Sequence, residues 1–285
     1  MKLDIILITY NQEQFIAQAV ESILMQRVND DVQVRVIVAD DCSKDKTLEI
    51  IKSYEEKSPF PFMYLPIEDN MGHVRNYQRA FAACVGDYVA ILEGDDYWTS
   101  PIHIQMQVDF LEQHYECVLT TTTPLILNEK GEFSTWHYDD VKDDVTMYTS
   151  TSFLAKNMII NMSAIIIRNS ILKQISDKIY SVSLLDWVLY IALGEFGVLT
   201  RLKTMTSVYR LGIGVWENQL HAFGKTMLLE EYDMALGYKY HEQLMRPLSQ
   251  EVNPRKTLKL KIKSYIPPLV IELYRLLVPP FIKHK

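Results

Sequence analysis

Glu93, Asp95 and Asp96 crowd into the stretch YVAILEGDDYW (88–98), where an apolar run delivers three acids to one place. Carboxylates this close repel one another unless a positive group sits among them. A divalent cation would resolve the conflict. Mg2+ and Mn2+ take oxygen ligands and are commonly held by one or two carboxylates together with substrate phosphates and waters. No cluster of His or Cys accompanies the acids, which argues against zinc. The expected cofactor is therefore Mn2+ or Mg2+, and the expected ligand is phosphorylated. Neither GxxxxGK[ST] nor a GxGxxG after the first apolar run is present, which speaks against P-loop and dinucleotide chemistry. The phosphates would be held chiefly by the metal.

The elements that must position these acids follow from the pattern of apolar residues. Runs at 3–8, 34–39, 62–65 and 87–92 read as strands, and the segments 13–26, 46–57 and 73–84 between them read as amphipathic helices. Continuous Val/Ile/Leu strands alternating with helices indicate a mostly parallel α/β sheet covered on both faces. Ligands bind beyond the carboxyl ends of such strands. TYNQ (9–12), DDCSKDKT (40–47) and EGDDYW (93–98) all fall at those ends. Each alone reads as ordinary turn and cap chemistry. Three at one edge read as a site.

Beyond residue 115 the pattern loosens. Segments 116–127 and 160–168 are strand candidates, and 128–150 reads as a solvated loop. An apolar helix spans 183–197 and carries Asp186. A strand over 206–216 enters a Gly-containing loop, followed by a long helix to about residue 243.

The quoted segments together carry a family resemblance. ITYNQEQFIAQAVESILMQ (8–26), VIVADDCSKDKTLEII (36–51), NMGHVRNYQRAF (70–81) and GDYVAILEGDDYWTSPIHIQMQVDFLE (86–112) resemble the successive motifs of family 2 glycosyltransferases of the bacterial polysaccharide type. The resemblance implies a GT-A fold, a nucleotide-diphospho-sugar donor and transfer with inversion. It places Thr9, Tyr10, Asn11 and Glu13 at the donor nucleotide, with Tyr10 stacked on the base. Asp41 would accept the imide N–H of a uracil, with Asp40 as its helper. Asn70, Gly72 and Asn76 would lie beside the donor. Asp95 would approach the ribose or the metal, and Asp96 would be the direct metal ligand. Glu93 stands where many relatives have Asp.

SLLDWVLY (183–190) matches the segment that supplies the general base, here Asp186, although Leu185 replaces the usual Glu. The plainer reading of Asp186 is an acid favoured by a helix N-terminus. Trp187, Arg210 and Trp216 are the candidates for acceptor or diphosphate contact, with a core role the alternative for Trp187. Relatives often carry a His shortly after YR; here YRLGIGVW (209–216) has none. His73, His103 and His114 read as ordinary helix residues.

The bulk properties agree with a globular chain. It has 285 residues, 48% of them apolar, and a net charge of −7. The expected division is a GT-A domain over 1–225, with a nucleotide-sugar half at 1–120 and an acceptor half at 121–225, followed by a helical extension over 226–285. Cys42, Cys84 and Cys117 form no CxxC pair, so neither zinc nor a disulfide framework is indicated and a reducing, cytoplasmic setting is expected. The N-terminal apolar run is short for a signal peptide, and no stretch of about 18 apolar residues suggests a spanning helix. Residues 255–285 carry eight Lys/Arg against the single acid Glu272. That composition suits peripheral contact with anionic lipid at the inner face of the cell membrane, or else a helix docked on protein.

The expectation is therefore a metal-dependent glycosyltransferase moving sugar from a UDP-sugar to a glycan or lipid-linked acceptor in surface polysaccharide synthesis. No nucleic acid partner is expected, and an oligomer is left open. The alternative is a non-catalytic GT-A module serving as a binding partner or subunit.

Overall fold

A computed structural model describes residues 1–66, 68–135, 143–154, 156–212 and 227–250, the last five by backbone alone. Strands β1 (Lys2–Thr9), β2 (Gln33–Asp40), β3 (Phe62–Tyr64) and β4 (Tyr88–Glu93) are parallel, with β1 between β2 and β4 and β3 outside β2. Their crossovers contain α1 (Ile16–Leu24), α2 (Thr47–Ser53) and α3 (His73–Ala83). Leu3 through Thr9 are all buried, as a strand covered on both faces requires. Side chains from α1 and from α4 (His103–Gln113) share that core, among them Ile16, Ile23, Ile104 and Leu111.

The second half completes a ten-stranded sheet. It contributes β5 (Tyr97–Trp98), β6 (Cys117–Leu127), β7 (Phe133–Thr135), β8 (Val145–Tyr148), β9 (Ile165–Arg168) and β10 (Val198–Arg210). The order is β3-β2-β1-β4-β9-β6-β10-β5, with β7 beside β6 and β8 beside β10. β9 runs antiparallel to both β4 and β6, so it joins two parallel groups.

Several expectations for this half change. The segment 128–150 contains β7, all of whose residues are exposed, and β8, whose burial is mixed, so neither shows a clear strand pattern. The strand expected at 160–168 begins as a 3-10 turn, Met162–Ala164, before β9. β10 starts at Val198, well before residue 206. After the one-turn α5 (Asn169–Leu172), the helix expected over 183–197 shortens to α6 (Asp186–Leu193). The long helix to about 243 is broken. A helix over 227–235 ends near Gly237 and Tyr238, both with positive φ (67° and 61°), and a new helix begins at His241.

The compact unit that carries the sheet extends to Tyr240, past the boundary expected at 226. Leu228, Leu229 and Tyr232 are buried within it, and Glu231 accepts hydrogen bonds from the backbone and hydroxyl of Ser183. No helix among the described residues is long and apolar enough to cross a membrane. The basic segment 255–285 lies outside the described residues.

The close approach of β1 to the acidic turn depends on Gly94. Its N–H donates to the Ile8 carbonyl at 2.8 Å. A Cβ there would collide with Gln12 Oε1 and would stand 2.8 Å from Ile16 Cδ1 and 3.0 Å from Thr9 Oγ1. Gly94→Ala is expected to lower stability by about 1–3 kcal/mol, read from the denaturant midpoint, because the neighbours must move.

Candidate active site

A cavity of about 800 Å³ opens where β1, β2 and β4 end, and its wall includes Thr9, Tyr10, Asp41, Glu93 and Asp95. The opposite end of the sheet gives a useful contrast. There the buried Asp4 is paired with Arg35 (2.9 Å) and accepts the N–H groups of Val85 and Gly86. Among the described residues, no ion pair is formed by the Glu93 or Asp95 carboxylate.

On the donor side the loops after β1 and β2 lock together. Asn11, at φ 50°, accepts the Lys44 N–H on its side chain and donates its own N–H to Ser43 Oγ. Asn is among the few residues that adopt this left-handed conformation at low cost. Glu13 accepts the Lys46 N–H while its own N–H donates to Asp45, so it braces the loop away from the cavity lining. Asp40 is likewise engaged, accepting the N–H and hydroxyl of Ser43. Asp41 does face the cavity. Its two oxygens accept the N–H groups of Met71 and Gly72, each at 2.9 Å, and Asn70 donates to its carbonyl. Carboxylate oxygens have lone pairs beyond one bond each, so a further donor can be accepted. Gly72, at φ 82°, makes this turn possible. Asn76 lines the cavity while donating to the Ala39 carbonyl and accepting from Arg79. Tyr10 lines the cavity and is 46% exposed.

The acidic turn divides into two parts. Glu93 and Asp95 line the cavity, half-buried, and Tyr77 donates to Glu93 at 2.8 Å. Burial first, then the neighbouring Asp95 and Asp186 charges, push Glu93 up to about 8. Burial also raises Asp95, with Arg210 opposing. Asp96 does not line the cavity. It is 1% exposed, its Oδ2 accepts the Ser163 hydroxyl at 2.7 Å and its Oδ1 accepts the Arg210 N–H at 2.9 Å. The direct metal role expected of Asp96 thus meets a carboxylate already bound into the fold, and Asp95 is the acid presented outward.

Arg210 is equally committed. Its guanidinium sits 4.9 Å from the ring centres of both Phe15 and Tyr97 and donates to the Asp95 carbonyl and to Gln18. It is not part of the cavity wall, although an acceptor or diphosphate contact was expected of it. Trp216 lies outside the described residues.

Among the described residues, no group of three or more His, Cys, Asp or Glu side chains is arranged to hold a metal. Two carboxylates with raised pKa on one wall nevertheless fit a divalent ion whose remaining ligands are phosphate and water.

Asp186 also lines the cavity, in the first turn of α6. Burial pushes its carboxyl up to about 6, against the lowering effect of the Trp187 backbone N–H and the Asn157 amide. Asn157 Nδ2 donates to Asp186 Oδ2 at 2.9 Å. Trp187 lines the cavity and is anchored by its indole N–H on the Phe153 carbonyl at 2.6 Å. Trp187, 4% exposed, is thus a core residue that also reaches the cavity wall.

His73, Tyr77, Lys156 and Asn157 line the cavity without having been singled out for it. His73 and Tyr77 are one helical turn apart and follow Gly72, a signal the sequence did contain. Burial lowers the pKa of His73. Lys156 and Asn157 lie in a stretch without periodicity and gave no signal.

The comparisons with known proteins converge on the same class. The model of Glycosyl transferase family 2 matches residues 4–174. An uncharacterized protein of Mycobacterium tuberculosis is 30% identical over 223 residues, covering 76% of this chain and 61% of that protein. The chain thus spans less than two thirds of that relative's length. Among solved structures, Staphylococcus aureus TarS 1–349 in complex with UDP-GlcNAc aligns with a TM-score of 0.64 at 19% identity, covering 82% of this chain and 66% of that one. A mannosyltransferase from Pyrobaculum calidifontis in complex with GDP-Man and Mn2+ aligns with a TM-score of 0.58 at 14% identity, covering 83% of this chain and 64% of that one. The fold is the GT-A fold. The chain belongs to glycosyl transferase family 2.

Proposed function

We propose that the chain transfers a sugar, with inversion, from a UDP-sugar to a hydroxyl of a glycan or lipid-linked acceptor in surface polysaccharide synthesis. The observation that carries this reading is one cavity walled by Asp41, by Glu93 with Asp95, and by Asp186. These are a base-recognising acid, a pair of acids facing a diphosphate, and a proton acceptor. Asp186, with its pKa near 6, is ionised at neutral pH yet basic enough to take a proton in the transition state. It removes the acceptor's hydroxyl proton as that oxygen attacks the anomeric carbon. The bond from that carbon to the diphosphate breaks in the same displacement, so the configuration inverts and no covalent enzyme intermediate forms.

Glu93 and Asp95 are the residues that would hold a divalent ion. When bound, such an ion offsets negative charge on the departing diphosphate. The UDP-GlcNAc complex of TarS supports a uridine nucleotide as donor. The GDP-Man complex of the mannosyltransferase supports Mn2+ as a metal this fold accommodates.

Calorimetric binding of UDP with and without Mn2+, followed by turnover of a UDP-sugar panel, tests the reading. Mn2+-dependent UDP binding and release of UDP from one sugar donor are expected. No UDP binding under either condition would sink the donor assignment. Tyr10→Ala should weaken UDP binding by about three- to tenfold through the lost ring contact, with the unfolding midpoint unchanged because the ring is exposed.

A further inference from the structure

We propose that Asn157 is a positioning residue for the base: its side-chain amide holds one oxygen of Asp186 and so fixes the direction in which that carboxylate meets an acceptor hydroxyl. The proposal rests on the reading of Asp186 as the base.

The geometry leaves the amide little freedom. Asn157 Nδ2 donates to Asp186 Oδ2 at 2.9 Å, while Asn157 Oδ1 accepts the Ile159 N–H at 3.1 Å. The second bond decides the first. Because the oxygen is occupied by a backbone donor, the NH2 group is the end that faces the carboxylate. Both residues line the cavity.

The same segment is anchored at its other end to the acidic turn. Asn161 Oδ1 accepts the Ser163 N–H at 2.7 Å. Ser163 Oγ accepts the Glu93 N–H at 3.0 Å and donates to Asp96 Oδ2 at 2.7 Å. Trp98 Nε1 donates to the Ser163 carbonyl at 2.6 Å. Residues 157–163 therefore tie Asp186 to the turn that presents Glu93 and Asp95. A short brace between base and donor site holds two reacting groups in register, and misplacement of about 1 Å can cost about a hundredfold in rate.

The ionisable groups around Asp186 come from several elements. Glu93 at the end of β4 and Tyr232 in the helix over 227–235 both interact with its charge. Asp95, His73 and Lys156 share the cavity. Against these, Asn157 is a neutral donor that favours the ionised carboxylate.

Asn157→Asp separates a positioning role from a merely structural one. It keeps an acceptor for the Ile159 N–H, and with it the turn, but replaces the donor facing Asp186 by a second carboxylate. The readout is turnover of the UDP-sugar as a function of pH, between about pH 5 and pH 9, for wild type, Asn157→Asp and Asp186→Asn. Asn157→Asp is expected to lower kcat near neutral pH by about tenfold or more, to move the acid limb upward by about one pH unit, and to leave the donor KM within about twofold. If Asp186→Asn is inactive and Asn157→Asp matches wild type in kcat and limb, this proposal falls alone. If Asp186→Asn stays fully active, the base assignment falls and takes this proposal with it.

Discussion

Asp186→Asn is expected to reduce sugar transfer by at least about a hundredfold while leaving UDP affinity within about twofold, since a positioned general base contributes roughly 10²–10⁴ in rate. The split follows from position. Asp186 is on α6, whereas Tyr10 and Asp41 stand on the loops after β1 and β2, so the nucleotide contacts survive its loss. Wild-type kcat/KM should show an acid limb near pH 6, because burial raises this carboxyl to about 6 and only the ionised form accepts a proton. The limb should disappear from whatever residual rate the variant retains.

Stability should move the other way. A carboxyl whose folded pKa lies above its unfolded value, 3.8 here, is bound more tightly to its proton in the folded state. Its contribution to stability is fully present below about pH 4 and is lost as pH rises through about 6. At neutral pH the charge therefore opposes folding, and the isosteric amide should leave the thermal midpoint unchanged or slightly higher. A variant that loses both activity and several degrees of midpoint would point to a structural acid, and the base assignment would fail.

The parallel half was legible because its signals are local. Ile5 through Ile8 form a continuous apolar run, and Asp41 and Asp95 follow strands whose ends were plain. The roles of the acids within one turn were not legible. Asp95 and Asp96 are adjacent and chemically identical, and only tertiary partners distinguish them. Ser163 and the backbone of Arg210, both distant in sequence, take up the oxygens of Asp96. Arg210 itself reads as a free cation until Phe15 and Tyr97 are found on either side of it. In the second half, the exposed residues of β7 and the mixed pattern of β8 hide their pairing from any reading of periodicity. Asn157 was invisible for a related reason. Its importance comes from one side-chain bond to a residue 29 positions away, not from any pattern around it.

The partition of the acidic turn yields the sharpest contrast between neighbouring positions. Asp95→Asn is expected to abolish most of the Mn2+-dependent gain in UDP affinity, by about tenfold or more, as loss of a charged ligand contact of about 1.5–3 kcal/mol implies. Asp96→Asn should retain that gain. Its Oδ1 still accepts the Arg210 N–H, and the Ser163 hydroxyl can rotate to accept from the new amide. Asp96→Ala should instead act on the fold, costing about 1–3 kcal/mol because two buried donors lose their acceptor. Calorimetry of UDP with and without Mn2+, beside denaturant unfolding of the same three proteins, reads both effects. The reverse outcome, with Mn2+ dependence lost in Asp96→Asn and kept in Asp95→Asn, would mean that Asp96 leaves Ser163 and turns outward when donor binds. The cost of that rearrangement would then be part of the donor's affinity. Loss of Mn2+ dependence in both variants would mean that the turn acts as one unit, with Asp96 holding Asp95 in place through the backbone they share.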